Sequence, residues 1–121
     1  MAINDGPAVD VQGLLIAGNI KRYARNLHVL RDASWNDGLL DVVVFPCSSR
    51  WTLLLHAVRV LLRLHVGRGG VTYRRCRRLR VEGNGEDVAV QIDGDQSEAL
   101  PLNVEVEPGG ARFLRISRSG L

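Results

Sequence analysis

At 121 residues and a net charge of +3, with 45% hydrophobic and 24% charged side chains, the chain suffices for one domain with its own core and is too short for two. That composition is close to the globular average and excludes a disordered or fibrous chain. The basic side is almost all arginine, Lys21 being the single lysine, and a guanidinium's planar fork suits phosphate and carboxylate partners without demanding one. Cys47 and Cys76 lie outside any CxxC spacing. They read as free thiols in a reducing cytoplasm rather than a zinc site or a disulfide framework. The first ten residues lack an apolar core flanked by positive charge, so no leader is expected. The longest apolar segment, residues 51–66, is broken by His56, Arg59, Arg63 and His65 and falls short of the roughly 20 apolar residues that span a bilayer. A cytoplasmic protein, at most peripheral to a membrane, is expected.

In chain order, residues 9–17 are expected to form an apolar strand ending at Gly18-Asn19, and residues 27–30 a short strand. Residues 32–38 are dense in turn formers. Residues 39–45 are a continuous apolar run with one acid, Asp41, which predicts a strand covered on both faces. Ser48 or Ser49 can cap a helix whose apolar positions Leu53, Leu54, Ala57, Val58, Leu61, Leu62 and Leu64 recur at three and four, stopping at Gly67 to Gly70. Opposite them, His56, Arg59 and Arg63 form a basic stripe, a solvated face or a contact for anionic lipid.

Residues 71–81 read as one long strand containing Arg74, Arg75, Arg77, Arg78 and Arg80. Alternation divides these arginines between two surfaces, and Tyr73 is the one aromatic nearby, so nucleic-acid binding is not expected. Residues 82–87 predict a hairpin loop. The alternating run Val88, Val90, Ile92 then breaks at Asp93-Gly94-Asp95 before residues 100–106 take the chain back, and residues 111–117 supply a last strand. Seven or eight strands joined by short turns, with one inserted amphipathic helix, predict a mainly β fold: an antiparallel β-sandwich or distorted barrel, forming a single domain over residues 1–121.

Three chemistries find no support. No serine sits in a GxSxG elbow, the three histidines are scattered, and Gly67, Gly69 and Gly70 follow the helix where a phosphate-cradling loop would precede one. Two acidic turns remain, Asn36-Asp37-Gly38 and Asp93-Gly94-Asp95. A carboxylate on either could accept a hydroxyl proton or orient magnesium in phosphoryl transfer; Asp-Gly is equally a common hairpin turn.

Read together, Gly18-Asn19, the run from Ala33 through Asp37-Gly38-Leu39-Leu40-Asp41 to Val44, Arg77 to Glu82, Gln91-Ile92-Asp93-Gly94-Asp95 and Glu105-Val106-Glu107-Pro108-Gly109 resemble the C-terminal half of diacylglycerol-kinase-type lipid kinases, the family that includes sphingosine and bacterial lipid kinases. The resemblance implies a β-sandwich packed on an N-terminal nucleotide-binding domain, absent from this chain, with lipid and ATP meeting between the two. It implies that Asp93 is the general base and that Asp95 stands where the family usually has glutamate. It further implies that Asp37, with the carbonyls of Ser34 and Leu39, matches a magnesium position in bacterial members. Magnesium and ATP would belong to the full-length enzyme, with none expected on this domain alone. Where the family usually has a run of glycines, this chain has Ala24-Arg25-Asn26, which removes the freedom of glycine at that place. The alternative expectation is a non-catalytic module binding anionic membranes through Arg59, Arg63, Arg74 and Arg78.

Overall fold

In the computed structural model, which describes residues 1–20, 28–67, 69–83, 88–92, 95–96 and 100–109, the fold is organised around β3 (Leu40–Phe45). All six of its residues are buried. A strand sends alternate side chains to opposite faces, and the two faces of β3 feed two separate cores. Leu40 and Val42 join Cys76 and Leu79 in one, while Val43 and Phe45 join Val29, Leu30, Ala33, Val60 and Val71 in the other. The apolar run at 39–45 is therefore a strand covered on both faces, as its composition predicts.

β3 is the centre of an antiparallel sheet, flanked by β2 (Leu14–Gly18) and β4 (Thr72–Cys76), with Ile16, Val43 and Tyr73 in register across it. A second antiparallel sheet has the order β1 (Ala2–Ile3), β5 (Arg78–Val81), β8 (Leu102–Glu105). Its Leu79, Ile3, Val81 and Val104 pack on the Leu40 and Val42 face of the first sheet. A two-stranded hairpin, β6 (Gln91–Ile92) with β7 (Asp95–Gln96), completes the described strands. All pairings are antiparallel and no closed barrel forms among the described residues, so the β-sandwich expectation holds and its barrel variant does not.

The single helix of the described residues, α1 (Arg50–Leu61), lies between β3 and β4 in the chain and lays His56 and Val60 on the outer face of the first sheet. The serine capping is as expected: Ser49 is the N-cap, and its Oγ accepts the Thr52 N–H at 3.3 Å. The end differs from the sequence expectation. The helix stops at Leu61, with Leu64 N–H donating to Arg59 O and Arg63 N–H to Val60 O, the paired bonds of a Schellman ending. Arg63 takes the left-handed conformation, φ 57°, usually given to glycine at that place. The glycines at 67–70 only mark where the chain turns into β4.

The helix also presents the opposite face to that expected. Leu53, Leu54, Val58, Leu61, Leu62 and Leu64 are all exposed, from 45% to 69%, whereas His56 of the expected basic stripe is 3% exposed. His56 Nε2 donates to Pro46 O at 2.8 Å and His65 Nε2 to Val29 O at 2.7 Å, and both rings pack against Phe45. Each imidazole is pinned by that one edge, its Nδ1 buried without a hydrogen-bond partner among the described residues.

Four further expectations are corrected. β2 begins at Leu14 rather than Val9, because Gly13, φ 132°, lies against the backbone of Phe45 where a Cβ has no room. Residues 28–30 form no strand; Val29 and Leu30 are instead buried plugs over β3. Residues 71–81 are two strands in different sheets. The chain switches sheets at Arg77, where Asn4 Oδ1 accepts the N–H groups of both Arg77 and Arg78 at 2.8 and 3.1 Å. Finally, residues 100–106 do not pair with residues 88–92: β8 pairs with β5, and β6 pairs with β7. The expected strand at 111–117, residue 27 of the expected strand at 27–30 and most of the expected loop at 82–87 lie outside the described residues.

Two substitutions separate the observed core from the expected one. Leu79→Ala, at a side chain 2% exposed between the sheets, should destabilise by about 2–5 kcal/mol in urea titration. Leu61→Ser, on the exposed face of α1, should change stability by no more than about 0.5 kcal/mol.

Candidate functional site

The first polar group to account for is Asp41, which is fully buried in the middle strand of the first sheet. A carboxylate taken out of water must be paired and hydrogen-bonded. The register supplies the partners. Arg75 lies directly across on β4, and Tyr73 two residues earlier shares its face. Arg75 Nε donates to Asp41 Oδ1 at 3.2 Å, and the Tyr73 hydroxyl donates to Asp41 Oδ2.

The same groups reach outward to the loop at 31–39. Asp32 N–H donates to the Tyr73 hydroxyl at 3.0 Å, and Arg75 Nη2 donates to Asp32 O at 3.3 Å and pairs with Asp37 Oδ2. Asp37 Oδ1 accepts the Leu39 N–H at 2.9 Å, and Ser34 Oγ donates to Asn36 Oδ1 at 2.6 Å. One buried carboxylate thus fixes an arginine and a tyrosine, which in turn fix the acidic loop. Sequence reasoning passed over Asp41, Tyr73 and Arg75 as a set. The available signal was an acid inside an apolar run, facing an i, i+2 pair of hydrogen-bond donors on a neighbouring strand.

The electrostatics follow from this packing. Burial first, and then the bond to Asp41, push the Tyr73 hydroxyl above the ordinary tyrosine range. Burial, reinforced by the Asp41 charge, likewise raises the Cys76 thiol. The bond to Asp41 raises Arg75 further still, so its charge is permanent.

Of the residues singled out in the sequence, Ser34, Asp37 and Leu39 are together on this loop. Oxygen donors of this type suit magnesium. In the structure the one carboxylate of the set already pairs with the Arg75 guanidinium, which brings positive charge to that loop. Asp95 is exposed in β7, paired with Ile92. Asp93 and Gly94, between those two residues in the chain, lie outside the described residues, as do Ala24, Arg25 and Asn26.

The arginines expected to share a lipid surface are not brought together. Arg59 and Arg63 belong to α1 and its ending, on the outer face of the first sheet. Arg78 flanks the inward Leu79 on β5 and so projects from the outer face of the second sheet, where it pairs with Asp5 at 2.7 Å and Glu105 at 3.3 Å. Arg74 is exposed on the edge strand β4, with Nη1 donating to the Tyr73 carbonyl. A single flat bilayer cannot meet Arg59 and Arg78 at once.

Residues 2–115 match the family described as the YegS C-terminal NAD kinase beta sandwich-like domain. The chain belongs to this family. It is 31% identical over 113 residues to proteins named diacylglycerol kinase from two strains of Mycobacterium tuberculosis, CDC 1551 / Oshkosh and ATCC 25618 / H37Rv, with 92% of this chain aligned. The alignment takes in 36% of each relative, so the chain spans about a third of their length. No solved structure matches it. The family's sandwich is the architecture that the two described sheets form.

Removing the partner of Asp41 should be costly. Arg75→Met leaves a buried carboxylate with Tyr73 alone and should lower the denaturation midpoint, while adding Asp41→Asn should recover part of that loss; denaturant titration of the parent chain and the two variants measures both. A pH effect follows from Tyr73 and Cys76. The fold holds both protons at a pH where the unfolded chain releases them, so stability is intact below about 9 and falls as pH rises through the ordinary thiol and phenol ranges near 9.0 and 10.0. Tyr73→Phe should lower stability at pH 7 by about 1–3 kcal/mol yet flatten the alkaline decline above pH 10.

Proposed function

We propose that this chain is the C-terminal, lipid-cleft half of an ATP-dependent lipid kinase that phosphorylates a lipid hydroxyl, in the manner of a diacylglycerol or sphingosine kinase. The observation that carries the reading is the family match over residues 2–115 together with the identity to proteins named diacylglycerol kinase. In this reading residues 1–121 are one domain, and a nucleotide-binding domain supplies the phosphate-binding loop that this sequence lacks. The domain by itself is inactive. Its ligands are a lipid substrate and the ATP and magnesium of the whole enzyme.

Asp93 is the general base. As the lipid oxygen attacks the γ-phosphorus of ATP, its O–H bond breaks and the proton passes to the Asp93 carboxylate; the O–P bond forms, the bond from the γ-phosphorus to the bridging oxygen breaks, and ADP leaves. The pairing of Ile92 with Asp95, the residues that flank Asp93-Gly94 in the chain, supports this role. Asp95 contributes a second carboxylate to the same hairpin, on an arm one methylene shorter than glutamate. The Arg75 cluster holds the Asp37 loop.

Full-length protein assayed with labelled ATP and either diacylglycerol or sphingosine tests the reading. Asp93→Asn should lower turnover by about 100-fold or more with little change in folding. Unchanged turnover would remove Asp93 from the base role.

A further inference from the structure

We infer that the outward face of α1 docks the protein on anionic lipid surfaces, with Trp51, Leu54, Leu55, Val58, Leu61 and Leu62 entering the interface and flanking arginines meeting lipid phosphates. These six side chains are between 45% and 74% exposed. They follow one another at spacings of one and three, so they form a continuous stripe along the helix. The other side of the helix is the one that enters the core: His56 and Val60 pack over Phe45. A contiguous apolar face left exposed in this way among the described residues marks an interaction surface.

Charge selects the partner. No Asp or Glu occurs between Asp41 and Glu82 in the sequence. The first turn of α1 has no acid, although an acid there would favour the helix dipole, and it carries Arg50 instead. Arg50 and Arg59 are nine residues apart, about 180° around the helix, so they border the apolar stripe on its two sides. Arg63 follows at the helix end, exposed. The Arg59 guanidinium lies where a side chain on Gly69 would begin, with Gly69 at φ 61°. An apolar stripe edged only by arginine fits the boundary of an anionic bilayer, where leucine and tryptophan sink below the headgroups and guanidinium groups stay with the phosphates. A second copy of the same face would set arginine borders against each other with no acid to pair them.

The inference does not depend on the phosphotransfer assignment. It concerns the outer face of the first sheet alone. The test uses the 121-residue chain with Trp35→Phe, leaving Trp51 as the single tryptophan, and vesicles of phosphatidylglycerol with phosphatidylcholine or of phosphatidylcholine alone. Co-sedimentation with the anionic vesicles at low salt is expected, with a blue shift of Trp51 emission and its quenching by brominated acyl chains. Leu54→Asp with Leu61→Asp should weaken binding by about tenfold or more while leaving the far-ultraviolet circular dichroism unchanged, since both side chains are exposed. Arg50→Ala should weaken binding and reduce its salt dependence. Absence of co-sedimentation at low salt overturns the inference, as does binding that the double substitution leaves intact. A lipid-free dimer in analytical ultracentrifugation that Leu61→Asp dissociates would assign the face to self-association instead. Asp93→Asn should leave vesicle binding unchanged, so loss of kinase activity and loss of docking fail separately.

Discussion

The constraint on which the rest of the structure depends is that β3 must be covered on both faces. A strand of six buried residues in the middle of a three-stranded sheet cannot rest against one layer only. The second sheet covers Leu40 and Val42, and α1 with the buried turn around Val29 and Leu30 covers Val43 and Phe45. Three layers result, and each has one task. The second sheet closes the sandwich, the first carries the buried carboxylate, and the helix turns an apolar stripe outward.

Asp41 is the exception that β3 admits, and it connects packing to the site. Its charge is tolerated because Arg75 and Tyr73 stand opposite it in register. Those two residues have donor and acceptor capacity left over, which they spend on Asp32 and Asp37. A buried ion pair is weak evidence of stability; what this one fixes, through Arg75, is the position of an acidic loop. Where the family resemblance implies magnesium beside Asp37, this chain places a guanidinium.

Much of the fold was legible because the relevant signals are local. The unbroken apolar run at 39–45, the capping serine and the short turns between strands pointed to a mainly β, antiparallel sandwich with one helix, and the motif order pointed to its family. What was not legible depends on distant partners. Periodicity gives a helix an apolar face without saying whether that face meets protein or another medium, and in α1 it is His56 and Val60, not the periodic leucines, that enter the core. Nor can alternation show that a strand changes sheets, and the switch at Arg77 rests on Asn4, more than seventy residues earlier in the chain. The importance of Asp41, Tyr73 and Arg75 emerges only from the pairing of β3 with β4. Asp93, the residue on which the functional reading turns, was found by motif and lies outside the described residues.

The central claim is that this chain forms one wall of a lipid and nucleotide cleft, with the β6–β7 hairpin at the reacting groups. Amide hydrogen exchange of the full-length protein, with and without a diacylglycerol and a non-hydrolysable ATP analogue, tests it most directly. The account predicts slowed exchange across residues 91–96 when both ligands are present. Protection confined to the region outside residues 1–121, with the hairpin unchanged, would contradict it.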